Sequence, residues 1–146
     1  MATATNYGNV HLHYQKGEIA LLTDNIKVTL HTSSYVPNKD THNAYTDLSN
    51  ELTTANGYTA GGLLLASKTV TYTAGVGAVF DAADSSWTIT AGGITCAYAV
   101  VRKDSGTGST SWLIGWVDFG GNKTTSNDTF QIQWDSTFGV SYIVAA

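Results

Sequence analysis

Four histidines, one cysteine and eleven acidic residues are the groups in this 146-residue chain that could do chemistry. His11 and His13 stand two apart, and on a strand that spacing turns both rings to one face. Two such imidazoles can chelate a metal, with His31 as a third ligand from a neighbouring strand. Structural zinc takes four ligands, often thiolates. Cys96 is the only thiol and lies far off in sequence, so no metal is expected. Cys96 sits in Ile94-Thr95-Cys96-Ala97-Tyr98, which reads as a strand, with no adjacent base or helix start to activate it. A buried, inert thiol is the expectation. Asp81, Asp84, Asp118, Asp128 and Asp135 could supply the paired carboxylates of a glycosidase. They stand beside Gly, Ser and Asn instead, where Asp makes turns and caps. Asp81-Ala82-Ala83-Asp84 lacks the dense Asp/Asn pattern of a calcium loop. There is no Gly-x-Ser-x-Gly elbow and no phosphate-binding glycine loop ending in Lys-Ser/Thr. The chain is not expected to be an enzyme or to carry a cofactor.

Aromatic side chains are plentiful: Trp87, Trp112, Trp116 and Trp134 join eight tyrosines. Trp112 and Trp116 share a strand face at i, i+4. An exposed aromatic stripe stacks on sugars or is buried at an interface, whereas most aromatics fill a core. About a third are expected at subunit or partner contacts.

The elements that must hold these groups read as strands. Ile26-Lys27-Val28-Thr29-Leu30-His31-Thr32 alternates with period 2. Residues 1–9 are small and polar and read as a flexible arm, followed by a short strand over Val10-His11-Leu12-His13-Tyr14. Glu18–Leu22 and Ile26–Thr32 read as a hairpin about Thr23-Asp24-Asn25. After Pro37, Asp40 reads as the cap of a short helix near residues 41–50, with Ala44, Tyr45, Leu48 and Leu52 on one face. Leu63–Ser67 and Thr69–Thr73 read as one strand region, then Ala78–Asp81, Ser86–Thr90, Trp112–Phe119, Thr129–Trp134 and Val140–Val144 as further strands. Ile94–Arg102 is long and apolar and reads as a central buried strand. Eight to ten short strands at this spacing predict an all-β, single-domain antiparallel β-sandwich over residues 10–146, jelly-roll-like or related.

Only 12% of residues are charged, against roughly 25% in ordinary soluble domains, so the surface is suited to being covered by partners or by copies of the chain. The net charge is −4 and the seven basic residues are scattered, which argues against nucleic acid. No apolar run approaches the roughly 20 residues of a membrane span. The N-terminus lacks a basic-then-apolar secretory pattern, so folding in a cytoplasm is expected and the Asn122 and Asn127 sequons are set aside.

Several segments in order carry a resemblance. They are Lys27–His42, Asn50-Glu51-Leu52, Gly57-Tyr58-Thr59-Ala60-Gly61-Gly62, Lys68-Thr69-Val70-Thr71-Tyr72, Phe80–Asp84 before Trp87, Ala97-Tyr98-Ala99-Val100-Val101, and Leu113-Ile114-Gly115-Trp116-Val117-Asp118-Phe119-Gly120. Together, over residues 10 to 135, the chain resembles a family of small tailed-bacteriophage virion structural proteins. The resemblance implies a virion component with no catalytic motif to transfer. Where relatives carry more charge before the Leu-Ile-Gly strand, this chain has Ser105-Gly106-Thr107-Gly108-Ser109-Thr110. The preferred expectation is a capsid decoration (cement) protein on the head surface, made in the host cytoplasm. It would be a homo-oligomer, a trimer by preference, bound to the major capsid protein across capsomers. The arm with Val10, His11, Leu12, His13 and Tyr14 is the expected contact element, adding a strand to an exposed sheet edge. Alternatives are a tail, neck or fibre-base protein, and a carbohydrate-binding adhesion module using Trp112, Trp116 or Tyr58.

Overall fold

The computed structural model describes residues 1–145. Its strands are β1 (Thr5–Asn6), β2 (Ile26–His31), β3 (Leu63–Leu64), β4 (Thr69–Thr73), β5 (Gly77–Asp81), β6 (Ser85–Ile89), β7 (Ile94–Lys103), β8 (Leu113–Thr125), β9 (Asp128–Ile132) and β10 (Ser141–Val144). One α-helix, α1 (Val10–Gln15), accompanies them. The protein is an all-β domain, and its ladders pair antiparallel.

In β7, apolar residues follow one another without alternation, as a strand covered on both faces requires. It lies third in a five-stranded sheet of order β1-β8-β7-β2-β3. On one face Val28 pairs with Val101, Leu30 with Ala99, and Ala99 in turn with Val117. These residues pack in one cluster with Phe80 of β5, Trp87 and Ile89 of β6, and Phe130 and Ile132 of β9. The second layer is therefore supplied by a three-stranded sheet, β10-β5-β4, and a two-stranded one, β6-β9. Full burial of each such side chain contributes about 1.5–3 kcal/mol. The other face of the large sheet carries Val100 and Leu113, which pack with Tyr7 and Tyr35, and Leu48, Tyr98 and Trp116 close over them.

Several expectations are corrected. Val10–Tyr14 is helical, because Val10, His13 and Tyr14 at i, i+3, i+4 turn inward together. His11 and His13 consequently diverge, with His11 exposed and His13 buried. Residues 1–9 are not a free arm. Ala2 bridges Trp134, β1 pairs with β8 at Trp116 and Gly115, and Ala4 and Tyr7 are core residues. Glu18–Leu22 forms no strand; the Asp24 carboxylate accepts from the Ala20 amide at 2.7 Å and closes a turn there. Near 41–50 the helix is a single 3-10 turn, Tyr45–Asp47, whose Asp47 carboxylate accepts from the Asn43 and Ala44 amides. Leu48 and Leu52, placed on one helical face by their spacing, enter the two different clusters. Leu63–Thr73 is divided, β3 joining the large sheet and β4 the small one.

Because Tyr7 is fully buried and its hydroxyl meets that of Tyr35 at 2.7 Å, the N-terminal segment contributes to stability. Tyr7→Ala should cost about 3 kcal/mol in urea denaturation; a change within about 0.5 kcal/mol, the ordinary surface value, would mean the segment is peripheral.

Candidate functional site

Arg102 is a charged residue in the apolar run of β7 and is buried, so its charge needs partners on the spot. Its guanidinium lies 3.9 Å from the centre of the Tyr45 ring and donates to the Gly61 carbonyl at 2.7 Å. It reaches Asp104 at 3.5 Å, and Asp104 pairs with Lys27 at 2.7 Å. Beside it the Glu51 carboxylate accepts from the Tyr58 hydroxyl at 2.6 Å, from the Gly61 amide at 2.7 Å and from the Tyr45 hydroxyl. Tyr58 is fully buried and itself accepts from the Leu30 amide at 3.1 Å. Burial and the neighbouring Glu51 push the Tyr58 phenol up, and the same two causes push Tyr45 up to about 12. Gly62 lets the loop come this close: at φ +91° its missing Cβ would sit 2.3 Å from the Val28 carbonyl oxygen. The carboxylate ties Tyr45, Tyr58 and Gly61 of the 45–62 loop together. The Tyr58 hydroxyl and the Gly61 carbonyl in turn fasten that loop to Leu30 of β2 and Arg102 of β7.

Three of the four histidines are likewise occupied. His31 Nδ1 donates to the Ser49 carbonyl at 2.8 Å, which leaves Nε2 to accept from the Thr29 hydroxyl at 2.8 Å. Burial lowers its pKa. His13 meets Glu18 at 2.5 Å and Asn43 at 2.7 Å, and stacks on Trp112 with ring centres 4.1 Å apart. His42 Nδ1 stands 2.9 Å from the Tyr35 hydroxyl, ending a line that begins at Tyr7. Among the described residues no group of three His, Cys, Asp or Glu side chains is placed to hold a metal ion. Cys96 is buried, and burial alone pushes its thiol up to about 12.

The surface is different in kind. A groove of about 980 Å³ runs between β8 and β9, flanked by Trp116, Phe119, Lys123, Thr129 and Gln131, with Thr3 at one end. It opens where β8 bulges: Tyr98 opposes Asp118 while Cys96 already opposes Lys123. On the small sheet β4 is an edge strand, with Val70 and Tyr72 exposed. Next to it a small apolar cavity of about 150 Å³ is lined by Tyr14, Leu21, Val70, Phe80 and Ile143. Of the five residues expected at a partner contact, His11 and Leu12 are exposed, Tyr14 is half-buried, and Val10 and His13 are buried. Of the three aromatics considered for sugar stacking, Tyr58 is in the core and Trp112 faces His13; Trp116 remains at the groove.

No protein-family model, curated protein or solved structure matches the chain.

The Glu51–Arg102 arrangement escapes a strand-by-strand reading of the sequence. Its signal is Arg102 directly after Val100-Val101, since a buried strand cannot carry a cation without a partner.

Glu51→Gln should lower stability by about 2 kcal/mol in urea, the amide replacing one acceptor by a donor among three donors; an unchanged midpoint would mean the carboxylate is not holding the loop. Lowered pKa values make stability fall toward acid in two stages. His31, held below its usual 6.5 by burial, stabilises the fold fully above that value and loses the contribution as pH drops through its folded value. Asp104, lowered by the Lys27 ammonium, and Glu18, lowered by His13 and Lys16, lose theirs only below their ordinary values of 3.8 and 4.5. Thermal melts across this range should show both stages, and His31→Asn should flatten the first while leaving the second. A single carboxylate-range stage in the unaltered protein would contradict the buried neutral imidazole.

Proposed function

We propose that this protein is a structural component of tailed-bacteriophage virions, a capsid decoration protein that binds the major capsid protein on the mature head without catalysis. The observation carrying the reading is the contrast between interior and edge. Glu51, Arg102, His13 and His31 are all engaged by neighbours in the chain, while an uncharged strand edge lies open. The segments that carry the resemblance support it further: they fall in β2, β4, β7 and the first half of β8, and they include Tyr35, Glu51 and Tyr58, so the resemblance is one of scaffold residues. A protein that binds only the assembled shell stabilises it by mass action, in proportion to its own occupancy. The shell contact is then made by exposed edges and by His11 and Leu12, since the remainder of the N-terminal segment is committed to the fold.

A second reading, a carbohydrate-binding adhesion module, is favoured by the hydroxyl- and amide-lined groove beside Trp116. Glycan-array binding that weakens in Trp116→Phe would support it.

Quantitative mass spectrometry of purified particles of the encoding virus separates the cases. The decoration reading expects a ratio to the major capsid protein near one-to-one, or a simple fraction of it. A few to a few dozen copies would place the protein in tail, neck or fibre base. Absence from the particle rejects a virion role.

A further inference from the structure

We propose that two copies of this chain join edge to edge through β4, continuing the small sheet across a two-fold axis as β10-β5-β4 and the same three strands of the partner in reverse. Such pairing takes up the β4 edge on which the virion reading draws, and leaves the shell contact to His11, Leu12 and the remaining edges. β4 has one neighbour, β5, and its other side is an open edge. Proteins normally blunt such an edge with lysine, proline, a bulge or a covering element. Thr69-Val70-Thr71-Tyr72-Thr73 has no charge and no proline, and its register with β5 is unbroken over all five residues.

The sequence of β4 selects a second copy as the occupant. Thr-Val-Thr-Tyr-Thr reads almost identically in both directions. A two-fold axis perpendicular to the sheet keeps each face continuous, so residues of equal parity must oppose one another. With the axis at Thr71, Val70 meets the partner's Tyr72 and Tyr72 meets the partner's Val70 on one face. On the other face Thr69 meets the partner's Thr73, and Thr71 meets its own copy. Aromatic–β-branched and Thr–Thr pairs are the favourable cross-strand types, and no like charges are brought together. Moving the axis to Val70 would set Tyr72 against the partner's Lys68, and the Val–Tyr pairs would be lost.

The exposed side chains agree. Tyr72 is 72% exposed and Val70 44%. Tyr72 stands in one row with Ala78 and Ile143 across the three strands, and Val70 lies two residues away on the same face, opposite Phe80. Pairing would cover the free side of this row beside the apolar cavity that Val70 helps to line.

A two-fold edge contact makes a dimer, in place of the trimer expected for a decoration protein. Light scattering coupled to size exclusion, over a micromolar dilution series, should give twice the chain mass for the unaltered protein. Thr71→Lys, which sets two ammonium groups opposite each other on an exposed strand, should give the single-chain mass with unchanged circular dichroism and melting. Thr71→Gln, uncharged and of similar length, should remain dimeric. Thr71→Cys should form an intermolecular disulfide on mild oxidation, because facing Cα atoms of an antiparallel pair lie within disulfide range. Cys96 is buried and leaves that assay free of background. A single-chain or trimeric mass for the unaltered protein, a dimeric Thr71→Lys, or a dimer that Thr71→Cys does not cross-link would each overturn the proposal. Virion copy number plays no part in these outcomes.

Discussion

The structure depends on β7 being bonded on both sides and covered on both faces. Its ladders to β2 and β8 fix the centre of the large sheet, and every further element is placed relative to it. On one face Ala99 and Val101 receive the second layer; on the other Val100 and Tyr98 receive Tyr7, Tyr35 and Leu48. A strand in this position requires its charged groups to find partners, because an unpaired buried charge costs the full loss of its hydration; of the Arg102 guanidinium only Nε is left without one. That requirement accounts for the groups gathered around Arg102 and Glu51. The cation is enclosed by a carbonyl, an aromatic face and a carboxylate, and the neighbouring carboxylate by two phenols and an amide.

The consequence is a division of labour within the fold. Residues 32–62 contain little regular structure, yet they lie against the central sheet through side-chain bonds: His31 to Ser49, Tyr7 to Tyr35, Tyr58 to the Leu30 amide, and Arg102 to the Gly61 carbonyl. The small sheet's edge strand, by contrast, is Thr-rich and neutral. Reactive groups engaged within the chain and an uncharged open edge at β4 are the physical features on which the proposed shell-binding role rests.

Much of this was legible in the sequence. The long, largely apolar stretch Ile94–Arg102 announced the central strand, and the alternation of Ile26–Thr32 its neighbour, since both patterns are direct consequences of which faces are covered. The failures have equally physical causes. Val10-His11-Leu12-His13-Tyr14 satisfies period 2 only if His13 is counted as polar and outward; with His13 stacked on Trp112 and bonded to Glu18, the helical spacing of Val10, His13 and Tyr14 is the one that buries them. The small polar residues 1–9 read as an arm because composition does not reveal that Tyr7 finds the Tyr35 hydroxyl, 28 residues away in sequence. The helix near 41–50 shrank to one turn because Tyr45 and Leu48 are drawn to separate long-range partners, Glu51 with Arg102 in one case and the Tyr7–Tyr35 cluster in the other. Contacts made across the fold, rather than local propensity, decided each of these segments.

Native-state hydrogen exchange tests the central place of β7 most directly. The amides of β7 should exchange only through global unfolding, with a free energy equal to that from denaturant titration, while the outward amides of β4 in dilute protein exchange far sooner. Exchange of β7 by local opening, at free energies well below the global value, would contradict the account.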